Sequence, residues 1–378
     1  YTYLDVDLQI AMTESLGGRK GAAVAIDPTD GSILGLASSP AFDPNVFLKK
    51  ENPAEQDPVL QDNSKKIQDL LTDTVNLPLF NRAVSGEYPP GSIFKLVTAT
   101  AGLAETKINS RTLVNDTGEI RVGAFRFGNW YFDQYGKTEG EIGITRALGR
   151  SNDIFFYKVG EWLGPDLLAN WAVKMGLGKK TGIDLTGEAD GLIPDAKWKE
   201  KTTGERWFLG NTYHMAIGQG DVQLTPLQAV MMAGAVVTGE LCAPRIALLT
   251  TNNQQLITNN CKGTGVSETN RNLILEGMVG ACSPGGTAFP FFPWNDAKTN
   301  YSVVACKTGT AQHGGKQTKP HAWIVVTGPI VKEEGIYKLD LESKKRIILV
   351  VMLEEAGEGS YEAGPVAKNI LEKRFKGN

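Results

Sequence analysis

A serine and a lysine three residues apart, Ser92 and Lys95, are the side chains whose types and spacing point most directly to chemistry. They follow Pro89-Pro90-Gly91, which cannot continue a helix, and the apolar residues after them fall on every face of a predicted buried helix. The spacing places both side chains on one face, about one turn apart. Burial lowers the pKa of a lysine, and a neutral amine beside a hydroxyl is a base next to a nucleophile. A structural role is the alternative, with Ser92 capping the helix and Lys95 reaching solvent.

Two other short motifs carry compatible groups. Ser151-Asn152-Asp153 falls at a break between two helical stretches, where a tight turn can present a hydroxyl and a carboxylate, although turn and capping roles also suit these residues. Lys307-Thr308-Gly309-Thr310 follows a strand-like run and combines a cation, two hydroxyls and a glycine that lets a ligand approach the backbone. A lysine there can also protect an edge strand from aggregation. The ordered set of three motifs predicts one catalytic site.

Composition excludes several other classes of function. A formal net charge of -3 over 378 residues does not suggest a nucleic-acid partner, and no apolar run reaches the length of a membrane span. The four cysteines, Cys242, Cys261, Cys282 and Cys306, show no C-x-x-C spacing, and the three histidines are scattered, so we expect no zinc site. The cysteines could form disulfides in three pairings or remain as buried thiols.

The elements that must position these motifs form an α/β pattern of the α+β type. Two strand-like runs near residues 21–26 and 32–37 flank an Asp-Pro-Thr-Asp-Gly turn, and three more runs lie near 301–306, 322–327 and 346–353. The stretches between them are mostly helical, with two of the predicted helices at 154–163 and 165–175. Residues 49–76 are polar and predict a long surface loop, or a loop and a short helix, and we expect residues 122–141 to be irregular. We therefore predict an antiparallel sheet of about five strands flanked by helices, with a mostly helical subdomain inserted. The sheet subdomain would comprise about 1–48 and 290–378, and the helical subdomain about 70–290.

The three motifs together resemble the penicillin-recognising serine enzymes, and further segments resemble class B penicillin-binding proteins of the elongation type, the penicillin-binding protein 2 group. The resemblance covers nearly the whole chain. The matching segments are GEYPPGS at 86–92, AIGQG at 216–220, TPLQ at 225–228, KTGTAQ at 307–312, GAAVAIDP at 21–28, AFDPN at 41–45, TGIDL at 181–185, GLIP at 191–194 and HAW at 321–323.

This resemblance implies a transpeptidase domain with the serine β-lactamase/DD-peptidase fold and no cofactor or metal. It implies that Ser92 attacks a D-Ala-D-Ala stem peptide of peptidoglycan, that Lys95 accepts the hydroxyl proton, that Ser151 relays protons and that Asp153 holds Lys95. Lys307, Thr308, Gly309 and Thr310 would bind the substrate, and backbone N–H groups of Ser92 and Thr310 would form the oxyanion hole.

The resemblance also implies partners and a location. It implies covalent inhibition by β-lactams, a membrane glycosyltransferase of the elongation machinery as partner, and an extracytoplasmic position. A membrane anchor and a non-catalytic pedestal domain would precede Tyr1.

Several points stay open at the level of sequence. Asp153 stands where many relatives have asparagine, and Cys306 stands where glycine is usual before the lysine. His313 and His321 lie near the Lys307 motif and are weaker candidates for substrate contact. A serine β-lactamase, a DD-carboxypeptidase or a non-catalytic penicillin-sensing or scaffold domain are the alternative functions, although we find no residue to position a deacylating water.

Overall fold

The computed structural model describes residues 1–47, 63–248, 250–251, 254–255, 260–296, 303–315 and 317–376. Its helices are α1 (Val6–Leu16), α2 (Asn63–Thr72), α3 (Lys95–Ala104), α4 (Trp130–Tyr135), α5 (Ile144–Arg150), α6 (Asp153–Lys174), α7 (Ala196–Thr203), α8 (Leu209–Ala216), α9 (Pro226–Thr238), α10 (Glu268–Ala281) and α11 (Ala363–Lys376), with 3₁₀ helices at Pro44–Phe47, Gly91–Phe94 and Phe289–Phe291. Within those ranges no helix combines the length and apolar character needed to cross a bilayer.

The strands are short except in the main sheet. They are β1 (Gly21–Ile26), β2 (Ile33–Ser39), β3 (Val114–Asp116), β4 (Glu119–Val122), β5 (Phe125–Gly128), β6 (Gly140–Ile142), β7 (Glu240–Cys242), β8 (Thr250–Thr251), β9 (Gln254–Gln255), β10 (Cys261–Gly263), β11 (Val303–Ala311), β12 (His321–Glu333), β13 (Ile336–Leu339) and β14 (Ile347–Leu353).

The main sheet joins the two ends of the chain. Its order is β11-β12-β14-β1-β2, with β13 paired to the far part of β12, and its pairings are antiparallel. The early hairpin therefore shares one sheet with the late strands, as predicted, with a sixth strand added at the side. Every residue of β1 and β14 is buried, which explains why these strands read as continuous apolar runs rather than alternating ones.

Two apolar cores sandwich this sheet. The larger core packs one sheet face against the helices between β2 and β11, including α3, α6 and α9, and the smaller core packs the other face against α1 and α11. Local sequence sets the helix ends. Thr225 and Gln228 form a reciprocal capping box before α9, with Pro226 at the first helical position.

The expectation that residues 122–141 are irregular is wrong. This stretch contains part of the β4–β5 hairpin, helix α4 and strand β6, which pairs with β3. Each piece spans only three to six residues, which is too short for a hydrophobic period to appear. The two helices predicted at 154–163 and 165–175 are confirmed as the two arms of α6, which is kinked at Gly164, where φ is 74°.

Helices α7 and α8 and strand β13 lie where no element was predicted. Part of the polar stretch at 49–76 lies outside the described residues, and the remainder includes α2, which agrees with the predicted alternative of a loop and a short helix. All four cysteines form disulfides. Cys242 pairs with Cys261 across β7 and β10, and Cys282, after α10, pairs with Cys306 on β11. No thiol is therefore left beside Lys307.

Candidate active site

Ser92 sits in the 3₁₀ helix Gly91–Phe94, directly before α3. Gly91 has a φ of 55°, and a Cβ there would lie 2.7 Å from the carbonyl oxygen of Thr310. The same close approach recurs at Gly309, where a Cβ would lie 2.9 Å from the carbonyl oxygen of Pro90. Strand β11 thus passes directly against the segment that carries Ser92, and only glycine fits at both crossings.

Lys95 is completely buried, one turn into the same segment. Its side-chain nitrogen donates to Asp153 Oδ1 at 2.7 Å and to the Ser151 carbonyl oxygen at 2.7 Å, and it lies 3.3 Å from Ser151 Oγ. Burial lowers the pKa of Lys95, and the Asp153 carboxylate partly opposes that shift. The amine is therefore easier to deprotonate than an ordinary lysine, while Asp153 and Ser151 hold its position.

Ser151 lies in the turn between α5 and α6, and Asp153 is the first residue of α6, as predicted for this motif. Ser151 has a left-handed φ of 52°, an uncommon conformation for a residue with a side chain. Asn152 caps α6 by accepting from the Phe155 N–H at 2.9 Å. Asp153 forms an ion pair with Lys95. Lys95 therefore contacts a carboxylate here, where an asparagine would offer an amide.

The third motif lies on β11, at the edge of the sheet. Lys307 is fully buried, and its nitrogen donates to Ser151 Oγ at 2.8 Å and to the Thr308 carbonyl oxygen at 2.9 Å. Burial and the neighbouring Lys95 charge lower the pKa of Lys307 well below its ordinary value. Thr308 Oγ1 donates to Thr287 Oγ1 at 2.9 Å, and Thr310 Oγ1 accepts from the Gly359 N–H at 3.2 Å.

One cleft of about 770 Å³ unites these motifs at the surface. Ser92, Ser151, Asp153, Thr308 and Thr310 all line it, with the two lysines directly behind Ser151. In the part of the chain that the structure describes, Ser92 Oγ donates no hydrogen bond. Ser92 therefore shares an open cleft with Ser151, whose hydroxyl contacts both lysines, and a serine in such a cleft is a candidate nucleophile for a bound acyl group.

The two histidines predicted as weaker candidates lie off this cleft. His313 and His321 stack with ring centroids 3.8 Å apart, and His321 Nδ1 accepts from the Glu355 N–H at 3.1 Å. Burial, together with the neighbouring His313, lowers the pKa of His321 to about 4. Cys306 packs in the smaller core, whereas Lys307 points to the other face of β11, so the disulfide does not narrow the cleft.

Sequence reasoning missed several residues that line the cleft, namely Trp130, Tyr157, His214 and Glu358. Tyr157 follows Asp153 by four residues on α6, and this helical spacing was an available signal. The others come from short or unpredicted elements and carried no local signature.

The family model described as the penicillin binding protein transpeptidase domain matches residues 21–372. The peptidoglycan D,D-transpeptidase MrdA of Escherichia coli K12 is 33% identical over 386 residues, covering 100% of this chain, and the chain spans 58% of the length of that relative.

Two solved structures extend the comparison. PBP2 of Pseudomonas aeruginosa, in complex with WCK 5153, is 30% identical with a TM-score of 0.81, over 98% of this chain and 74% of that one. PBP2 of Helicobacter pylori, in complex with MreC, is 29% identical with a TM-score of 0.79, and the match covers 99% of this chain and 63% of that one. The predicted similarity to the penicillin-binding protein 2 group is confirmed. The chain belongs to the penicillin-binding protein transpeptidase family.

Proposed function

We propose that this domain is a serine D,D-transpeptidase that cross-links the stem peptides of peptidoglycan and is acylated by β-lactams. The observation that carries the proposal is the position of Ser151. Its hydroxyl contacts both buried lysines, at 2.8 Å from Lys307 and 3.3 Å from Lys95, and it shares a cleft with Ser92. Such an arrangement can move a proton from an attacking hydroxyl to a leaving amine.

Acylation begins when Ser92 Oγ attacks the carbonyl carbon between the two D-alanines. Lys95 accepts the hydroxyl proton, for which its burial-lowered pKa suits it. As the C–N bond breaks, Ser151 passes its hydroxyl proton to the departing amine and is reprotonated by Lys95, which lies 3.3 Å away, and the last D-alanine leaves. Asp153 keeps Lys95 in place. Ser92 is then esterified to the remaining stem peptide.

Strand β11 carries the residues that bind the substrate. Lys307, Thr308 and Thr310 bind the terminal carboxylate of the substrate or the acid group of a β-lactam, which is a charge-assisted contact. Gly309 permits close approach of β11 to the Pro90 segment. The backbone N–H groups of Ser92 and Thr310 stabilise the oxyanion, and losing one such donor typically slows acyl transfer about 100- to 1000-fold.

In the second step, an amine on another stem peptide attacks the ester, the new amide bond forms and the Ser92 hydroxyl is released. This step separates the proposal from a DD-carboxypeptidase or a β-lactamase, in which water attacks the ester. We would incubate the chain with a peptide ending in D-Ala-D-Ala and with a D-amino acid as acceptor amine. We expect free D-alanine together with the aminolysis product, and neither with Ser92→Ala. Hydrolysed peptide alone would favour the carboxypeptidase. Rapid turnover of a penicillin would favour the β-lactamase, and no reaction with either compound would leave only a binding or scaffold role.

We further propose an extracytoplasmic location and a membrane glycosyltransferase of the elongation machinery as partner. The similarity to PBP2 proteins, one of them solved with MreC, supports this assignment. Co-purification of the full-length protein with such a glycosyltransferase from detergent-solubilised membranes tests the partnership. A lack of association under conditions that retain the whole assembly would contradict it.

A further inference from the structure

A second carboxylate, Asp116, lies behind the site and plays no part in the steps above. It ends strand β3 and is 2% exposed. Its Oδ1 accepts from the Gly118 N–H at 2.8 Å. Its Oδ2 accepts from Asn129 Nδ2 at 2.9 Å, Asn152 Nδ2 at 2.7 Å and the Glu139 N–H at 3.0 Å. Four donors therefore converge on one buried carboxylate.

The composition of this group distinguishes it from a structural ion pair. Among the residues that the structure describes, no lysine or arginine forms an ion pair with Asp116. Burying a carboxylate is costly, and here N–H dipoles alone compensate for it. A carboxylate accepts hydrogen bonds and donates none, so both asparagines must turn their NH2 groups toward Asp116.

That constraint fixes where the two amide oxygens point. Asn152 Oδ1 faces the Phe155 N–H and caps α6, and Asn129 Oδ1 accepts from the Asp153 N–H at 3.1 Å. Asn129 and Asn152 are both buried. Asp116 therefore orients two amides, and these hold the backbone on both sides of the Ser151-Asn152-Asp153 turn.

Trp130, the residue after Asn129, forms two more hydrogen bonds to the same turn. The Trp130 N–H donates to Asp153 Oδ2 at 3.1 Å, and Trp130 Nε1 donates to the Arg150 carbonyl oxygen at 2.9 Å. Ser151 needs such support because its left-handed φ is unfavourable unless its surroundings impose it. The precise placement of Ser151 Oγ between the two lysines thus depends on the region from Asp116 to Trp130.

We propose that Asp116 is a positioning residue for acyl transfer. Through Asn129 and Asn152 it holds Ser151 and Asp153 against Lys95 and Lys307, without lining the cleft itself. The inference rests on the proposed function, because it concerns the same reaction.

The test is Asp116→Asn in the 378-residue chain, studied by stopped-flow acylation with a chromogenic cephalosporin across a range of pH. An amide of the same shape turns its own NH2 group toward at least one of the four donors and is a weaker acceptor for the others, so the two asparagines are held less firmly. We expect the acylation rate constant to fall about 10- to 100-fold, with the dissociation constant of the non-covalent complex unchanged within about twofold. The acid limb of the rate profile should move to lower pH, because Asp153 then raises the pKa of Lys95 less.

Glu188→Gln is the matched control. This half-buried carboxylate also accepts several hydrogen bonds, from the Thr181 N–H at 2.6 Å, Thr181 Oγ1 at 2.5 Å and the Gly182 N–H at 3.1 Å, but it does not line the cleft. It should retain the wild-type acylation rate constant even if its melting temperature falls.

Asn129→Ala is the second variant, to be used if Asp116→Asn does not fold. It cuts the link to Asp153 while leaving Asp116 three donors, and it should reproduce the split between rate and affinity.

These experiments distinguish a failure of the proposed function from a failure of the role proposed for Asp116. If the wild-type chain is not acylated at Ser92, the proposed function fails and the role of Asp116 falls with it. If the wild type reacts and folded Asp116→Asn and Asn129→Ala react with the same rate constant and pH profile, only the role of Asp116 is overturned. A smaller active fraction with unchanged constants would overturn it as well, because that pattern reflects folding alone.

Discussion

The side-chain nitrogen of Lys307 lies 2.8 Å from Ser151 Oγ, and this contact joins the edge strand of the sheet to the turn between α5 and α6. Lys95 approaches the same oxygen from α3, at 3.3 Å. Elements far apart in the chain therefore meet at one hydroxyl. The position of Ser151, more than that of either lysine alone, connects the acyl-transfer site to the carboxylate-binding strand.

Ser151→Ala removes this shared hydroxyl. We expect acylation by a penicillin to slow about 100-fold or more, because both the proton relay and an acceptor for Lys307 are lost. Stopped-flow or quenched-flow acylation measures the change. Ser283→Ala provides a comparison, because the Ser283 hydroxyl donates to a helix carbonyl and does not line the cleft. Equal acylation rates for wild type and Ser151→Ala would remove Ser151 from the mechanism.

Asp153→Asn tests what the carboxylate does for Lys95. The Asp153 charge raises the pKa of Lys95 against the effect of burial, so its removal lowers that pKa further. Acylation needs neutral Lys95, and the acid limb of its pH profile should therefore move to lower pH. We also expect a lower plateau rate, because the contact between Lys95 and residue 153 is then no longer an ion pair and holds the amine less firmly. Asp166→Asn, an exposed change on the same helix, should leave the profile in place, and an unshifted limb in Asp153→Asn would contradict this role.

Gly309→Ala tests the close crossing of β11 and the Ser92 segment. The added methyl would lie 2.9 Å from the Pro90 carbonyl oxygen and 3.0 Å from Trp323 Cβ, so one of these segments must move. We expect a loss of about 1–3 kcal/mol in the free energy of unfolding and slower acylation. Denaturant unfolding and acylation kinetics measure the two effects. Gly315→Ala is the control, because a Cβ there meets no atom within 4 Å. Wild-type stability and rate in Gly309→Ala would show that the crossing tolerates a side chain.

His321, which does not line the cleft, should make the free energy of unfolding depend on pH. Burial and His313 lower its pKa to about 4 in the folded chain, against an ordinary value of 6.5. The unfolded chain therefore binds the proton more readily, and the stabilisation present above pH 6.5 is lost as the pH falls toward 4. We expect the free energy of unfolding to drop by about 1–2 kcal/mol between pH 7 and pH 5 through this group. His321→Gln should reduce that pH dependence, whereas an unchanged dependence would assign it to other groups.

The motif residues were predictable because each motif is short and contiguous. Ser92 and Lys95 lie within one helical turn, the Ser151 turn separates two predicted helices, and Lys307 follows an apolar run on β11. The main sheet was predictable as well, since buried antiparallel strands such as β14 produce continuous apolar runs between turn residues.

The supporting network could not be predicted in this way. Asp116 meets Asn129 and Asn152 across 13 and 36 residues, and no local period or spacing connects them. The intervening strands and helix are only a few residues long, so tertiary contacts rather than local propensity determine their structure. The disulfide pairings were open for the same reason, because they depend on where β10 and β11 lie rather than on cysteine spacing.

The most direct test of the central claim is the mass of the intact chain after exposure to benzylpenicillin, with the adduct located by peptide mapping. We predict one long-lived penicilloyl adduct on Ser92, absent from Ser92→Ala and slowed about 100- to 10,000-fold in a folded Lys95→Ala chain. An adduct on any other residue, or normal acylation of Lys95→Ala, would contradict the account of Ser92 as nucleophile and Lys95 as its base.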